Sequence, residues 1–98
     1  MIYESDIERK LVNGVEKLGG VCLKHGQDGW PDRVVLLPGG LTIWVETKRP
    51  DGRVADLQKW RAAKLRKLGH RVEIPWNPAD VDKLLRGWAY MLEHQSNE

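Results

Sequence analysis

An α/β fold is expected: a mixed β-sheet flanked by helices in the order α-β-β-β-α-β-α. Three features of the sequence predict it. Apolar residues recur at helical spacing near both ends of the chain. Two apolar runs bracket Pro38-Gly39-Gly40, as the strands of a hairpin do. A helix-like stretch, "ADLQKWRAAKLRKL", then separates the hairpin from another short apolar run. A strand returning through a helix comes back parallel, so the sheet mixes both senses.

Taken in order, residues from about Glu4 to Leu18 form the first helix. Ile7, Leu11, Val15 and Leu18 line one side of it, and Gly19-Gly20 ends it. "GVCLKH" reads as a strand. Arg33 to Leu37 and Leu41 to Thr47 are the arms of the hairpin. "RPDGR" has the Pro-Asp-Gly chemistry of a turn. The second helix is closed by Gly69, and "HRVEIP" supplies the last strand. Asn77 or Pro78 opens a final helix whose apolar side carries Val81, Leu84, Leu85 and Trp88. A single domain over residues 1–98 is expected, with about residues 94–98 ("HQSNE") as a flexible tail.

Composition narrows the class. Of 98 residues, 41% are hydrophobic and 31% charged, which suits a globular chain and argues against wholesale disorder. Cys22 stands alone, so no internal disulfide can form, and no Cys/His spacing suggests zinc; a reducing, cytoplasmic interior is the natural setting. The opening residues are charged and no apolar run is long enough to span a membrane. A net charge of +2 does not by itself argue for nucleic acid, so placement of charge must decide.

The stretch "GWPDRVVLLPGGLTIWVETKRPDG" puts acids where strands are expected. Alternation along the third strand sets Thr42, Trp44, Glu46 and Lys48 on one face and Leu41, Ile43, Val45 and Thr47 on the other. If Pro38-Gly39-Gly40 is a three-residue loop, Leu37 faces Leu41, Val34 faces Trp44 and Asp32 faces Glu46. A slip of one residue would part the two acids. In that register two carboxylates and a lysine meet at one end of the hairpin. Like charges so close need a cation between them. Mg²⁺ fits, since it takes one or two carboxylates and completes its shell with water and phosphate oxygens. The plainer alternative is an exposed Glu46–Lys48 ion pair, with Asp32 merely starting a strand.

Pro31-Asp32 followed by Glu46-Thr47-Lys48 resembles the PD-(D/E)xK nuclease motif. Together with Gly29, Arg33 and Gln58 the set is similar to the VRR-NUC branch, especially its small stand-alone phage and bacterial members. The similarity runs from the first helix to about Val72. It implies a restriction-endonuclease-like core. Asp32, Glu46 and the backbone carbonyl of Thr47 would be metal ligands, and Lys48 the catalytic lysine. The ion would be Mg²⁺, with Mn²⁺ as an alternative. The implied activity is structure-selective cleavage of branched DNA by a homodimer resembling Holliday junction resolvases, in a bacterial cell or phage-infected host.

Relatives of this kind carry a further glutamate on the first helix. Glu8 lies on its apolar side and is the first candidate, bound directly or indirectly to the metal; Glu4, one turn earlier, is the second. The competing role for Glu8 is a capping box over Ser5-Asp6-Ile7-Glu8 with Ser5 as N-cap. Gln58 either lines the site or is an exposed helix glutamine. Lys24, Arg33, Arg49 and Arg53 are candidates to hold DNA phosphates. Trp30, beside the motif, is a candidate for base stacking. Trp44, Trp60, Trp76 and Trp88 are expected in the core or in a subunit interface, and the dimer contact on an apolar face of the first or last helix. The rival function is a non-catalytic module that binds branched or single-stranded nucleic acid through the same basic surface.

Overall fold

A computed structural model describes residues 2–95. The chain runs α1 (Glu4–Lys17), β1 (Val21–Lys24), β2 (Arg33–Leu37), β3 (Leu41–Val45), α2 (Asp56–Lys67), β4 (Arg71–Glu73) and α3 (Pro78–Glu93). The strands form one sheet in the order β1-β2-β3-β4. β1, β2 and β3 are antiparallel neighbours, and β4 joins β3 in parallel after the α2 crossover. The expected order of elements and the mixed sheet are both present.

The hairpin register is the one that alternation requires: Leu37 pairs with Leu41, Leu36 with Thr42 and Val34 with Trp44. Its loop, Pro38–Gly40, is a 3-10 turn in which Gly39 and Gly40 have φ of 82° and 80°. Backbone in that left-handed region costs a side-chain-bearing residue energy that glycine avoids, so this pair fixes the turn and with it the register.

Two apolar layers sandwich the sheet. Ile7, Leu11 and Val15 of α1 and Val81 and Trp88 of α3 meet Val35, Leu37, Ile43 and Val45 on one face. Ala62 and Leu65 of α2 pack with Val72, Trp30 and Trp44 on the other. This second layer reaches only the β3–β4 side, leaving Val21, Leu23 and Leu36 exposed. Cys22 packs against the first layer, and burial pushes its thiol up to about 11.

The helix starts are capped in different ways. Asn77 caps α3 by accepting the Asp80 amide at 2.7 Å, and Pro78 takes the first helical position, where its missing N–H costs nothing. At α1 the N-cap is Tyr3, not Ser5, and Asp6 accepts the Tyr3 amide at 3.3 Å. The Ser5/Glu8 capping box, the competing role for Glu8, is therefore absent, and Glu8 sits beyond the first turn with its carboxylate free for other partners. Of the two places expected for Trp60, the core is excluded: it is 57% exposed and belongs to neither apolar layer. At the other end of the chain, Gln95 Nε2 donates to the Pro38 carbonyl at 3.0 Å; residues 96–98 of the expected tail lie outside the described residues. Among the described residues no helix is long and apolar enough to cross a membrane.

Candidate active site

The acids gather where β2 begins and β3 ends, beneath the first two turns of α1. Past Val45 the chain keeps pairing in parallel with the end of β4 and the residues that follow it. Glu46 N–H donates to the Glu73 carbonyl and Lys48 N–H to the Pro75 carbonyl, both at 3.0 Å. Thr47 between them turns its amide the other way, towards Asp32 Oδ1 at 3.4 Å. Its side chain continues the buried face of Ile43 and Val45, as alternation requires, and is 0% exposed.

Asp32 does not belong to β2; it occupies the bend just before it. Its carbonyl accepts the His25 amide at 2.8 Å, which ties the bend to the end of β1. Freed from strict alternation, its carboxylate reaches round the end of the sheet. The Thr47 hydroxyl lies 3.4 Å from Asp32 Oδ2 and 3.3 Å from Glu8 Oε1. One hydroxyl has one proton, so it can serve only one of these two acids at a time.

Glu8 is also bound by Arg33, whose guanidinium nitrogen lies 3.4 Å from Oε2. Carboxylate oxygens of Glu4, Glu8 and Asp32 lie within 4.8 Å of one another. Both candidates on α1 are thus at the site, one turn apart on the same side of the helix. Glu46 is outside this trio but close enough for its charge and that of Asp32 to act on each other. Its residue is 6% exposed, Oε1 is 3.9 Å from Lys48 Nζ, and Oε2 is buried with no hydrogen-bond partner.

Electrostatics follow from this crowding. Burial, then the Glu8 carboxyl, push Asp32 from its ordinary 3.8 up to about 6. Burial and the charge of Asp32 raise Glu46 from 4.5 to about 7, against the pull of Lys48. At neutral pH the protein alone holds negative charge that its own donors do not balance. An orphaned buried carboxylate oxygen beside a raised Asp is what a hard cation would relieve, and the donor set, all carboxylate oxygen, suits Mg²⁺ or Mn²⁺.

The remaining candidates divide. Lys48 reaches the site through Glu46. Arg33 is there too, but engaged with Glu8 rather than presented outward. Arg49 pairs with Asp51 at 3.3 Å on the surface, while Lys24 and Arg53 are exposed. The Gln58 side-chain oxygen accepts the Ala55 N–H at 3.0 Å and so caps α2. Trp30 is not an open stacking surface: it packs against the second apolar layer, and the Arg61 guanidinium lies 4.6 Å over its ring. Two roles escaped the sequence reading. The Thr47 hydroxyl as a bridge between Asp32 and Glu8 was hidden in the variable position of the motif. The Trp60–Arg61 pair on α2, with the guanidinium 5.1 Å over the indole, was hidden because adjacent helical residues do not ordinarily face each other.

Comparison with known proteins bears on the fold and the family. No family model matches the sequence. The protein named "Putative nuclease p44", from Acyrthosiphon pisum secondary endosymbiont phage 1, is 43% identical over 88 residues, covering 87% of this chain and 94% of that one. A solved structure described as a VRR_NUC domain superposes with a TM-score of 0.74 at 28% identity, covering 95% of this chain and 97% of the other.

Proposed function

Because the chain belongs to the VRR-NUC family of nucleases, we propose that it is a divalent-metal-dependent endonuclease that hydrolyses phosphodiester bonds of branched DNA. The preferred substrate is a four-way junction, cut by a homodimer with one site in each subunit, in the cytoplasm of a bacterial cell or phage-infected host. The observation that supports this reading most is the uncompensated charge: Asp32 and Glu46 both hold protons unusually tightly, and Glu46 Oε2 has no donor.

Asp32 and Glu46 would hold the ion, with the Thr47 carbonyl as a further ligand and Glu8 acting directly or through water. Bound there, Mg²⁺ or Mn²⁺ supplies a Lewis acid that steadies charge on phosphoryl oxygens and eases ionisation of water. The residues of the chain do the rest. Lys48, held beside Glu46, puts its ammonium group where it can orient the attacking water or meet charge developing at phosphorus. Thr47 Oγ1 and Arg33 hold Glu8 in place. Gln58 has its side-chain oxygen committed to the α2 cap, so only its amide group is offered to substrate. Lys24, Arg49 and Arg53 would gather flanking phosphates, recognising backbone and shape rather than sequence. Exposed apolar side chains available to a dimer contact include Tyr90 on α3 and the Val21, Leu23 and Leu36 patch.

Labelled four-way junction DNA incubated with Mg²⁺, Ca²⁺ or EDTA tests the chemistry. Cleavage is expected with Mg²⁺ and not in EDTA. Cutting that persists in EDTA, or in an Asp32→Asn variant, would refute it. A panel of forks, flaps and junctions tests the substrate, and a monomeric mass in light scattering would count against the dimer.

A further inference from the structure

We propose that Trp60, braced by Arg61, is a stacking platform for an unpaired nucleobase at the rim of the active site. The inference builds on DNA being the substrate. Trp60 is 57% exposed on α2 although it is among the most costly side chains to leave in water. It is not left there idle in structure. The Arg61 guanidinium lies between two indoles, 4.6 Å from the Trp30 ring and 5.1 Å from the Trp60 ring. Arg61 Nε is buried without a hydrogen-bond partner, so the rings, not acceptors, hold this group in place.

The location ties the platform to the chemistry. Trp30 is separated from Asp32 in the chain only by the buried Pro31, so the loop that carries Asp32 also carries the inner ring of the stack, which runs outward onto α2. Gly29, with φ of 81°, leaves no room for a Cβ, which would come 2.5 Å from Leu57 Cδ2. That close approach seats the catalytic loop directly against the first turn of α2.

Charge selects the occupant. α2 carries Lys59, Arg61, Lys64, Arg66 and Lys67 against a single acid, Asp56. Two copies of so basic a helix repel, which disfavours a self-contact through this face, whereas a polyanion is drawn to it. A DNA strand supplies both what the indole needs and what the cations need: a flat base and flanking phosphates. Stacking of this kind is indifferent to base identity but demands an unpaired base that can leave the stack, because a base inside a duplex has both faces covered by its neighbours. The platform therefore favours DNA with single-stranded or unstacked positions next to the cut.

The test reads binding in EDTA by fluorescence anisotropy, with a labelled duplex and the same duplex carrying an unpaired thymine flap. Trp60→Ala is expected to weaken flap binding about ten-fold or more and duplex binding less than about two-fold. Trp60→Phe is expected to restore most of the loss. Equal losses on both substrates, or none on the flap, would overturn the platform. So would a change in sedimentation of the free protein in Trp60→Ala, which would mark a subunit contact instead. Cleavage is not read, so failure of metal-dependent cutting bears on the nuclease mechanism alone, and failure of selective flap binding on the platform alone.

Discussion

Asp32→Asn should stabilise the metal-free protein while destroying its activity. An Asp that titrates at about 6 in the fold and 3.8 in the open chain favours folding while protonated. As pH rises from 3.8, the unfolded chain ionises first and the native state loses ground; above about 6 the penalty is complete. At 1.36 kcal/mol per pH unit its ceiling is about 3 kcal/mol, and partial solvent exposure reduces this to about 1–2 kcal/mol. The amide has no charge to bury and keeps an oxygen to accept from Thr47. In a domain of this size the gain amounts to about 5–10 °C in Tm. Thermal melts in EDTA should show that gain at pH 8 and almost none at pH 4. Added Mg²⁺ or Mn²⁺ should raise the Tm of the parent and leave the variant unmoved. Equal gains at both pH values, or a variant less stable than its parent at pH 8, would refute the electrostatic account.

Other perturbations test other parts of the site and fold. Glu8→Gln should reduce cleavage at subsaturating Mg²⁺ by about ten-fold or more, because Arg33 and Thr47 hold this carboxylate in position, whereas Glu4→Gln should cost less than about three-fold. Metal titrations of the initial rate separate the two. Thr47→Val removes the one hydroxyl between Asp32 and Glu8 and should cost about 1 kcal/mol at pH 8, with a smaller loss at pH 4, where a protonated carboxyl can bond its neighbour; denaturant melts at both pH values check it. Gly20→Ala would put a Cβ 2.5 Å from the Leu36 carbonyl oxygen and 2.8 Å from Leu37 Cδ2, and should cost about 1–3 kcal/mol in the same melts without changing metal affinity.

The parts of this molecule governed by short-range periodicity were legible in its sequence. Alternation and a glycine turn fix the β2–β3 register from Leu37–Leu41 to Arg33–Val45, one step short of the expected Asp32–Glu46 pair. What alternation does not govern was less legible. Asp32 lies in a bend, so its reach to Thr47 and Glu8 depends on the path of the chain rather than on a period of two. The start of α1 near Glu4 was legible, but its cap was not: Ser5 is the better intrinsic cap, yet Tyr3 takes that place with Asp6 as its partner. Trp60 was expected in the core or in a subunit interface on residue type alone; the packing of α2, where Ala62 and Leu65 face the sheet, excludes the core.

The backbone pairing past the end of β3 has a mechanical consequence. Glu46 and Lys48 ride on main chain anchored to the end of β4 and the residues after it by two 3.0 Å bonds, and Asp32 on main chain held to His25 at 2.8 Å. The slack lies in side chains instead: the carboxylates of Asp32 and Glu8 meet their neighbours only at 3.3–3.4 Å. A cation of larger radius would be met by rotation of those carboxylates, with the backbone beneath them staying in place.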